Sequence, residues 1–165
     1  MAPIVGSSYG GWVAMNAALF APERVERLVL LSPANGLAPF EFSYAVHMLP
    51  SMLLPIRPLL ARSVRPLFAQ DPNPVYFEQL IVGADCPRDM VFPSEFTPEE
   101  LRRIRQPTLL LVGTEEAITN PTMQIERVRT YLPRGEAELI PGAGHMLSLD
   151  RAELITQRIM AFVWP

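Results

Sequence analysis

Four short apolar runs along the chain predict the strands of a parallel sheet. Two of them, "RLVLLS" and "TLLLVG", are unbroken instead of alternating, which is typical of strands that are covered on both faces. "PIVG" and "AELIPG" are weaker examples of the same pattern. A parallel sheet of this kind carries helices on both of its faces.

Between and after these runs, apolar positions recur three and four residues apart, and this spacing predicts amphipathic helices. The stretches with this spacing are "GGWVAMNAALFAPERV", "PTMQIERVRTYL" and "DRAELITQRIMAFV". In the last of them, Asp150 and Glu153 suit an N-cap and the third helical position, which marks a helix start. Strands and helices that alternate in this way predict a layered α/β fold.

The segment from about Ala38 to Glu100 interrupts the alternation. It is dense in proline and rich in methionine, leucine and phenylalanine, and it contains no run typical of a strand. Short helices separated by prolines account for this composition. We therefore interpret residues 1–165 as a single domain, with a core at 1–37 and 101–165 and a helical lid at 38–100.

The charge and the apolar runs of the chain limit the classes of partner that it is expected to bind. The net charge is -3, and nucleic-acid binding is not expected because phosphate recognition needs clustered Lys and Arg. The densest basic run, "RRIR", is instead expected at a helix C-terminus. The longest apolar stretch, "AVHMLPSMLLPI", is too short and too interrupted by proline to cross a bilayer. We expect no membrane partner and a cytoplasmic location.

The cysteine count and the first residues of the chain give little evidence about its chemistry. The chain has one cysteine, Cys86, which cannot form an internal disulfide and is expected to pack instead of reacting. The first residues lack the charged and apolar regions of a signal peptide. We expect neither a metal nor a cofactor.

A candidate nucleophile lies close to the start of the chain. Gly6-Ser7-Ser8-Tyr9-Gly10 fits the pattern G-x-S-x-G, which holds a reactive serine on a strained turn between a strand and a helix. The run "PIV" supplies the strand, and an amphipathic stretch follows. A glycine-rich turn without chemistry is the alternative interpretation, but this context favours Ser8 as a nucleophile.

A serine nucleophile needs a general base and a carboxylate that orients it. His145 follows the predicted strand "AELI", at the end where α/β sheets assemble their sites, whereas His47 lies in the lid and is interpreted as structural. Glu115 and Glu116 follow "TLLLVG". Either glutamate could supply the carboxylate on position alone.

Together these motifs resemble the C-terminal part of an α/β-hydrolase, and most of all the carboxylesterase-type members. "GSSYGG" resembles the nucleophile elbow of that family and "IPGAGHMLSLDRAELI" its histidine loop. "LLLVGTEEAITNP" resembles the acid loop, of the form G-x-x-[DE]. Counted from Gly113, the resemblance places the acid at Glu116, with Glu where most relatives have Asp.

Some relatives carry the acid after the preceding strand instead. That stretch here reads "LLSPANG", with Asn35 and no carboxylate, which favours Glu116. The serine also separates the chain from relatives with an aspartate nucleophile, such as haloalkane dehalogenases and epoxide hydrolases.

The resemblance implies a serine hydrolase that cleaves carboxylic esters through an acyl-enzyme, with Ser8, Glu116 and His145 as its triad. It places the backbone N–H of Tyr9 in the oxyanion hole. A C–C bond hydrolase, a thioesterase and an acyltransferase stay open as alternatives because they share the same triad. The apolar lid favours an apolar small-molecule ester, although lid packing alone would also explain its composition.

In the family the elbow lies mid-chain, whereas here the first predicted strand runs straight into it. The resemblance therefore implies a partial α/β-hydrolase fold: a parallel sheet of about four strands in sequential order, with flanking helices and a helical lid insertion. The elbow strand would then be an edge, which favours self-association, and the second oxyanion donor would be missing. The alternative to an active hydrolase is a truncated or non-catalytic remnant that needs a partner or an N-terminal half.

Overall fold

A computed structural model describes residues 1–84 and 91–164, and Cys86 lies outside the described residues. Its sheet has four strands, which follow one another in the order β1-β2-β3-β4, and all neighbouring pairs are parallel. The strands are β1 (Ala2–Ser7), β2 (Val25–Leu31), β3 (Thr108–Gly113) and β4 (Gly135–Ile140). The predicted parallel sheet of about four strands is confirmed.

The three predicted amphipathic helices are present as α1 (Tyr9–Phe20), α6 (Pro121–Tyr131) and α8 (Ala152–Val163). The other α-helices of the described residues are α2 (Phe42–Leu53), α3 (Arg57–Val64), α4 (Pro74–Ala84), α5 (Pro98–Arg103) and α7 (Leu147–Asp150). Two short 3-10 helices span Pro22–Arg24 and Arg65–Leu67. No helix among the described residues is long and apolar enough to cross a membrane.

Two hydrophobic cores cover the two faces of the sheet. In β2, Leu28 and Leu30 pack in one core, which includes residues of α1 and α6. Val29 and Leu31 alternate with them and pack in the other core, which includes residues of α8. Successive strand side chains point to opposite faces, so a strand between two helical layers must be apolar throughout. This explains the unbroken apolar runs.

Strand β1 lies at the edge of the sheet and pairs with β2 alone among the described strands. Val5 is 46% exposed although its partner in register, Val29, is fully buried. The core that includes α8 residues covers β2 and β3 but contains no residue of β1. The predicted edge position of the elbow strand is therefore present in the structure.

Among the described residues between β2 and α5, the main elements are the helices α2, α3 and α4. Prolines open several of these elements, as in the first turn of α3, although Pro50 lies inside α2. A small apolar cluster joins α3 and α4 and packs against Met146 and Leu149 from the region after β4. These helices thus rest on the loop that carries His145.

The predicted role of Asp150 as a helix N-cap is wrong. Asp150 is the last residue of α7, and Arg151 precedes α8 without a side-chain cap. The Asp150 carboxylate instead accepts hydrogen bonds from the backbone N–H groups of Gly144 (2.8 Å) and Ala69 (3.0 Å). The carboxylate thus satisfies backbone N–H groups of two loops. These hydrogen bonds compete with a role in capping the next helix. By contrast, Arg102 and Arg103 do lie in the last turn of α5, as "RRIR" predicted.

Candidate active site

Ser8 lies between the last residue of β1 and the first residue of α1, in a strained backbone conformation. Its φ and ψ are 52° and -122°, which few residues other than glycine adopt. Its N–H donates to Leu31 O (2.9 Å), and its carbonyl accepts from the N–H groups of Gly11 (2.9 Å) and Ala34 (3.0 Å). These hydrogen bonds fix the turn from both sides.

Two of the three neighbouring glycines permit the close approach of strand and helix. A Cβ atom on Gly6 would lie 2.7 Å from the carbonyl carbon of Gly10, and one on Gly11 would lie 2.8 Å from Pro33 Cβ. A Cβ atom on Gly10 would meet no described atom within 4 Å. The turn therefore requires glycine at positions 6 and 11 for packing, but not at position 10.

His145 lies in the loop after β4, and this loop is held from three sides. The N–H of Gly144 donates to Asp150, the N–H of Met146 donates to Leu67 O (2.8 Å), and Ala143 O accepts from the N–H of Glu115 (2.9 Å). The imidazole is almost fully buried, and its Nε2 atom lies 2.8 Å from Ser8 Oγ. The predicted base and nucleophile are thus within hydrogen-bond distance.

Glu116, and not Glu115, reaches His145. The His145 Nδ1 atom lies 2.8 Å from Glu116 Oε2 and 3.0 Å from Oε1, and Oε1 also accepts from the N–H of Ile118 (2.7 Å). Glu115 is exposed. With the proton of a neutral imidazole on Nδ1, that atom donates to Glu116 and Nε2 accepts from the Ser8 hydroxyl.

The electrostatics of the site favour an ionised carboxylate. Burial raises the pKa of Glu116, but the hydrogen bond and the charge of His145, the N–H of Ile118 and the Ser32 hydroxyl outweigh it and leave the pKa below its ordinary value. Burial, followed by the Glu116 charge, raises the pKa of Tyr44 in α2 to about 12. A neutral tyrosine therefore faces a charged glutamate at neutral pH.

Tyr9 and His47 are the other two residues that the sequence analysis singled out. Tyr9 is the first residue of α1, where a backbone N–H has no acceptor within its own helix. Its side chain donates to Val91 O (3.1 Å). His47 lies in α2 and donates from Nε2 to Arg62 O (2.8 Å). No cluster of His, Cys, Asp or Glu in the described residues could hold a metal ion.

Ser32 and Asp150 belong to this site although the sequence analysis assigned neither of them to it. Asp150 bonds the loop that carries His145, and Ser32 follows β2 and contributes to the lowered pKa of Glu116. Neither contact follows from a local motif, because both join residues that only the tertiary fold brings together.

Comparisons with known proteins agree with this architecture. The model of the Alpha/beta hydrolase family matches residues 2–158. Carboxylesterase YbfK from Bacillus subtilis is 32% identical over 98% of this chain and 57% of its own length. A structure of naproxen esterase from the same species, at 32% identity, covers 96% of this chain and 58% of that one with a TM-score of 0.85.

More distant structures show the fold alone. A 2-hydroxy-6-oxo-6-phenylhexa-2,4-dienoate hydrolase from Rhodococcus is 18% identical, with a TM-score of 0.81, over 97% of this chain and 63% of that one. This chain spans little more than half the length of the two esterases. Because a family model covers almost all of its residues, the chain belongs to the alpha/beta hydrolase family.

Proposed function

We propose that the chain carries the catalytic triad of a serine esterase, with Ser8 as nucleophile, His145 as general base and Glu116 as the orienting acid. The observation that carries the proposal is the continuous hydrogen-bond path from Ser8 Oγ through the imidazole to the Glu116 carboxylate. Each distance is within the range for proton transfer between such groups. The lowered pKa of Glu116 supports its role as a permanent anion behind the imidazole.

In the proposed reaction, His145 Nε2 takes the Ser8 proton while Ser8 Oγ attacks the ester carbonyl carbon. Glu116 stabilises the imidazolium that forms. The tetrahedral oxyanion accepts hydrogen bonds from the N–H of Tyr9 and from a second backbone donor. The imidazolium then returns its proton to the departing alcohol. Water, activated by the same histidine, releases the acid and restores Ser8.

The relatives favour an ester over the other substrates of this triad. YbfK is named a carboxylesterase and a second relative, nap, an uncharacterized carboxylesterase, at 32% and 33% identity. The 2-hydroxy-6-oxo-6-phenylhexa-2,4-dienoate hydrolase among the compared structures is only 18% identical. We therefore place carboxylic esters first, with thioesters, C–C bonds and acyl transfer as alternatives.

The lid at residues 38–100 is proposed to form one wall of the acyl pocket. Its C-terminal part lies on the nucleophile helix, because Tyr9 Oη donates to Val91 O and Trp12 Nε1 donates to Ser94 O (2.9 Å). Phe92, which is exposed, packs against Phe40 with the rings tilted by 59° and their centroids 5.5 Å apart. Apolar side chains beside the elbow fit an apolar acyl or alcohol group.

A fluorophosphonate probe tests the proposal, because it reacts only with an activated serine. Mass spectrometry is expected to find the adduct on Ser8 in the wild-type chain and in Ser7→Ala, and no adduct in Ser8→Ala. An adduct on Ser7, or no adduct in a sample that is folded by circular dichroism, would favour the alternative of a non-catalytic remnant.

A further inference from the structure

Ser32 lies at the same edge of the sheet as the proposed triad. It directly follows β2, and its N–H donates to Leu111 O (3.0 Å) in β3, the strand that leads into the Glu116 loop. Parallel strands end at one edge of a sheet, so the residue after β2 and the loop after β3 are neighbours. The Ser32 side chain is completely buried there.

The backbone of Ser32 has a positive φ of 41°. A residue with a Cβ atom is disfavoured in this region, where glycine is readily accommodated. Strain of this kind persists when the surrounding structure requires the side chain, and it concentrates at functional sites. A serine at this position therefore calls for a role of its hydroxyl.

The hydroxyl has no hydrogen-bond partner of ordinary geometry among the described residues. The backbone bond of Ser32 to Leu111 places the residue beside β3, at the sheet edge where the Glu116 loop begins, and its hydroxyl helps to lower the pKa of the Glu116 carboxyl. The carboxylate can accept about four hydrogen bonds. Its described partners are His145 Nδ1 and the N–H of Ile118, which leave acceptor capacity for one more donor.

We propose that Ser32 is a positioning residue, whose hydroxyl donates a hydrogen bond to the Glu116 carboxylate and holds it against the His145 imidazole during the reaction. The proposal rests on the function proposed above. It differs from a role in the elbow, because Ser32 contacts neither the nucleophile nor the substrate by any described bond.

Two titratable groups are coupled to Glu116: His145, through their hydrogen bond, and Tyr44, whose pKa the Glu116 charge helps to raise. Tyr44 is neutral at neutral pH because its pKa is about 12, so it does not change the charge of the site there.

Two variants separate the hydroxyl from the backbone strain. Ser32→Ala removes the hydroxyl and keeps the Cβ atom, whereas Ser32→Gly removes both and relieves the positive φ. We expect kcat for a short-chain nitrophenyl ester to fall about tenfold in both variants, with KM unchanged, because a hydrogen bond to a charged group is lost. Thr130→Ala, at an exposed threonine of α6, serves as the matched control and should keep the wild-type kcat.

A second measurement does not depend on turnover. The NMR resonance of the His145 Nδ1 proton is expected to shift in both Ser32 variants and to stay in place in Thr130→Ala. Thermal unfolding should show Ser32→Gly at least as stable as Ser32→Ala. A merely structural serine would instead give activity that follows stability, with Ser32→Gly as active as the wild type.

The outcomes separate the two proposals. An active wild type whose Ser32→Gly variant keeps its kcat overturns the role of Ser32 and leaves the esterase proposal standing. A wild type without ester hydrolysis and without a Ser8 adduct overturns the esterase proposal, and the Nδ1 resonance alone then decides on Ser32. An unchanged resonance in both variants overturns the positioning role in either case.

Discussion

The Nδ1 atom of His145 lies 2.8 Å from Oε2 of Glu116, and both side chains are almost completely removed from solvent. Water cannot compete for this hydrogen bond, and low polarity around it strengthens the interaction. The adjacent Glu115 shares the same loop but faces solvent. This difference between two neighbouring glutamates is the sharpest test of the site.

Glu116→Gln is expected to lower kcat roughly 10⁴-fold, as removal of the triad carboxylate does in a well-studied serine protease. The neutral amide no longer stabilises the imidazolium. Glu115→Gln serves as the matched control and should stay within about twofold of the wild type, because exposed charges away from the reacting atoms contribute little. Steady-state hydrolysis of a nitrophenyl ester measures both variants. Equal losses would show that the acid is assigned to the wrong residue.

Acid should destabilise the chain partly through Glu116. Its pKa is lower in the folded state than the ordinary value of 4.5, so the folded state favours the ionised form. The resulting stability is present above pH 4.5 and is lost as the pH falls through the lower, folded pKa. Urea unfolding measures the free energy of unfolding at about pH 7 and at about pH 3. This free energy should fall less for Glu116→Gln than for the wild type. Identical losses would contradict this assignment.

The two glycines of the elbow motif should differ in their tolerance of a side chain. Gly6→Ala places a Cβ atom against the backbone of Gly10 and Gly11, and we expect a loss of about 1–3 kcal/mol in the free energy of unfolding. Gly10→Ala meets open space and gains helix propensity, so it should be neutral or stabilising by up to about 1 kcal/mol. Chemical denaturation measures the free energy of unfolding of both variants. A Gly6→Ala variant as stable as Gly10→Ala would refute the tight strand-to-helix contact.

The 165-residue chain by itself should be a weak esterase that self-associates. Loss of one oxyanion donor costs roughly 10²- to 10³-fold in kcat. The free edge of β1 and the apolar side chains beside it, such as Val5 and Phe20, favour contact with a second copy. Gel filtration and ester hydrolysis measure the two properties, and Val5→Lys should shift the chain towards monomer.

We expect the weak activity and the self-association to share one cause, the unpaired side of β1. A segment that pairs with β1 and supplies the second donor should therefore raise activity and restore a monomer together. A stable monomer with ordinary esterase rates would show instead that the chain completes its sheet and oxyanion hole without such a segment.

The sequence alone determined the layers of the fold and the local turn at Ser8. Burial on both faces forces unbroken apolar runs such as "TLLLVG", and amphipathic spacing marks α6 and α8, so these signals act over a few neighbouring residues. The choice of Glu116 over Glu115 already needed the family resemblance, because both glutamates follow the same strand.

Only the tertiary structure decided how the ends of different strands meet. The Asp150 carboxylate bonds Gly144 and Ala69 instead of capping α8, and Ser32 is buried at the end of β2, at the sheet edge that also carries the Glu116 loop. These contacts join residues from separate elements, and their distances depend on strand order, register and loop packing. No periodicity along the chain encodes them, since a buried polar group takes whichever partner the fold brings within reach.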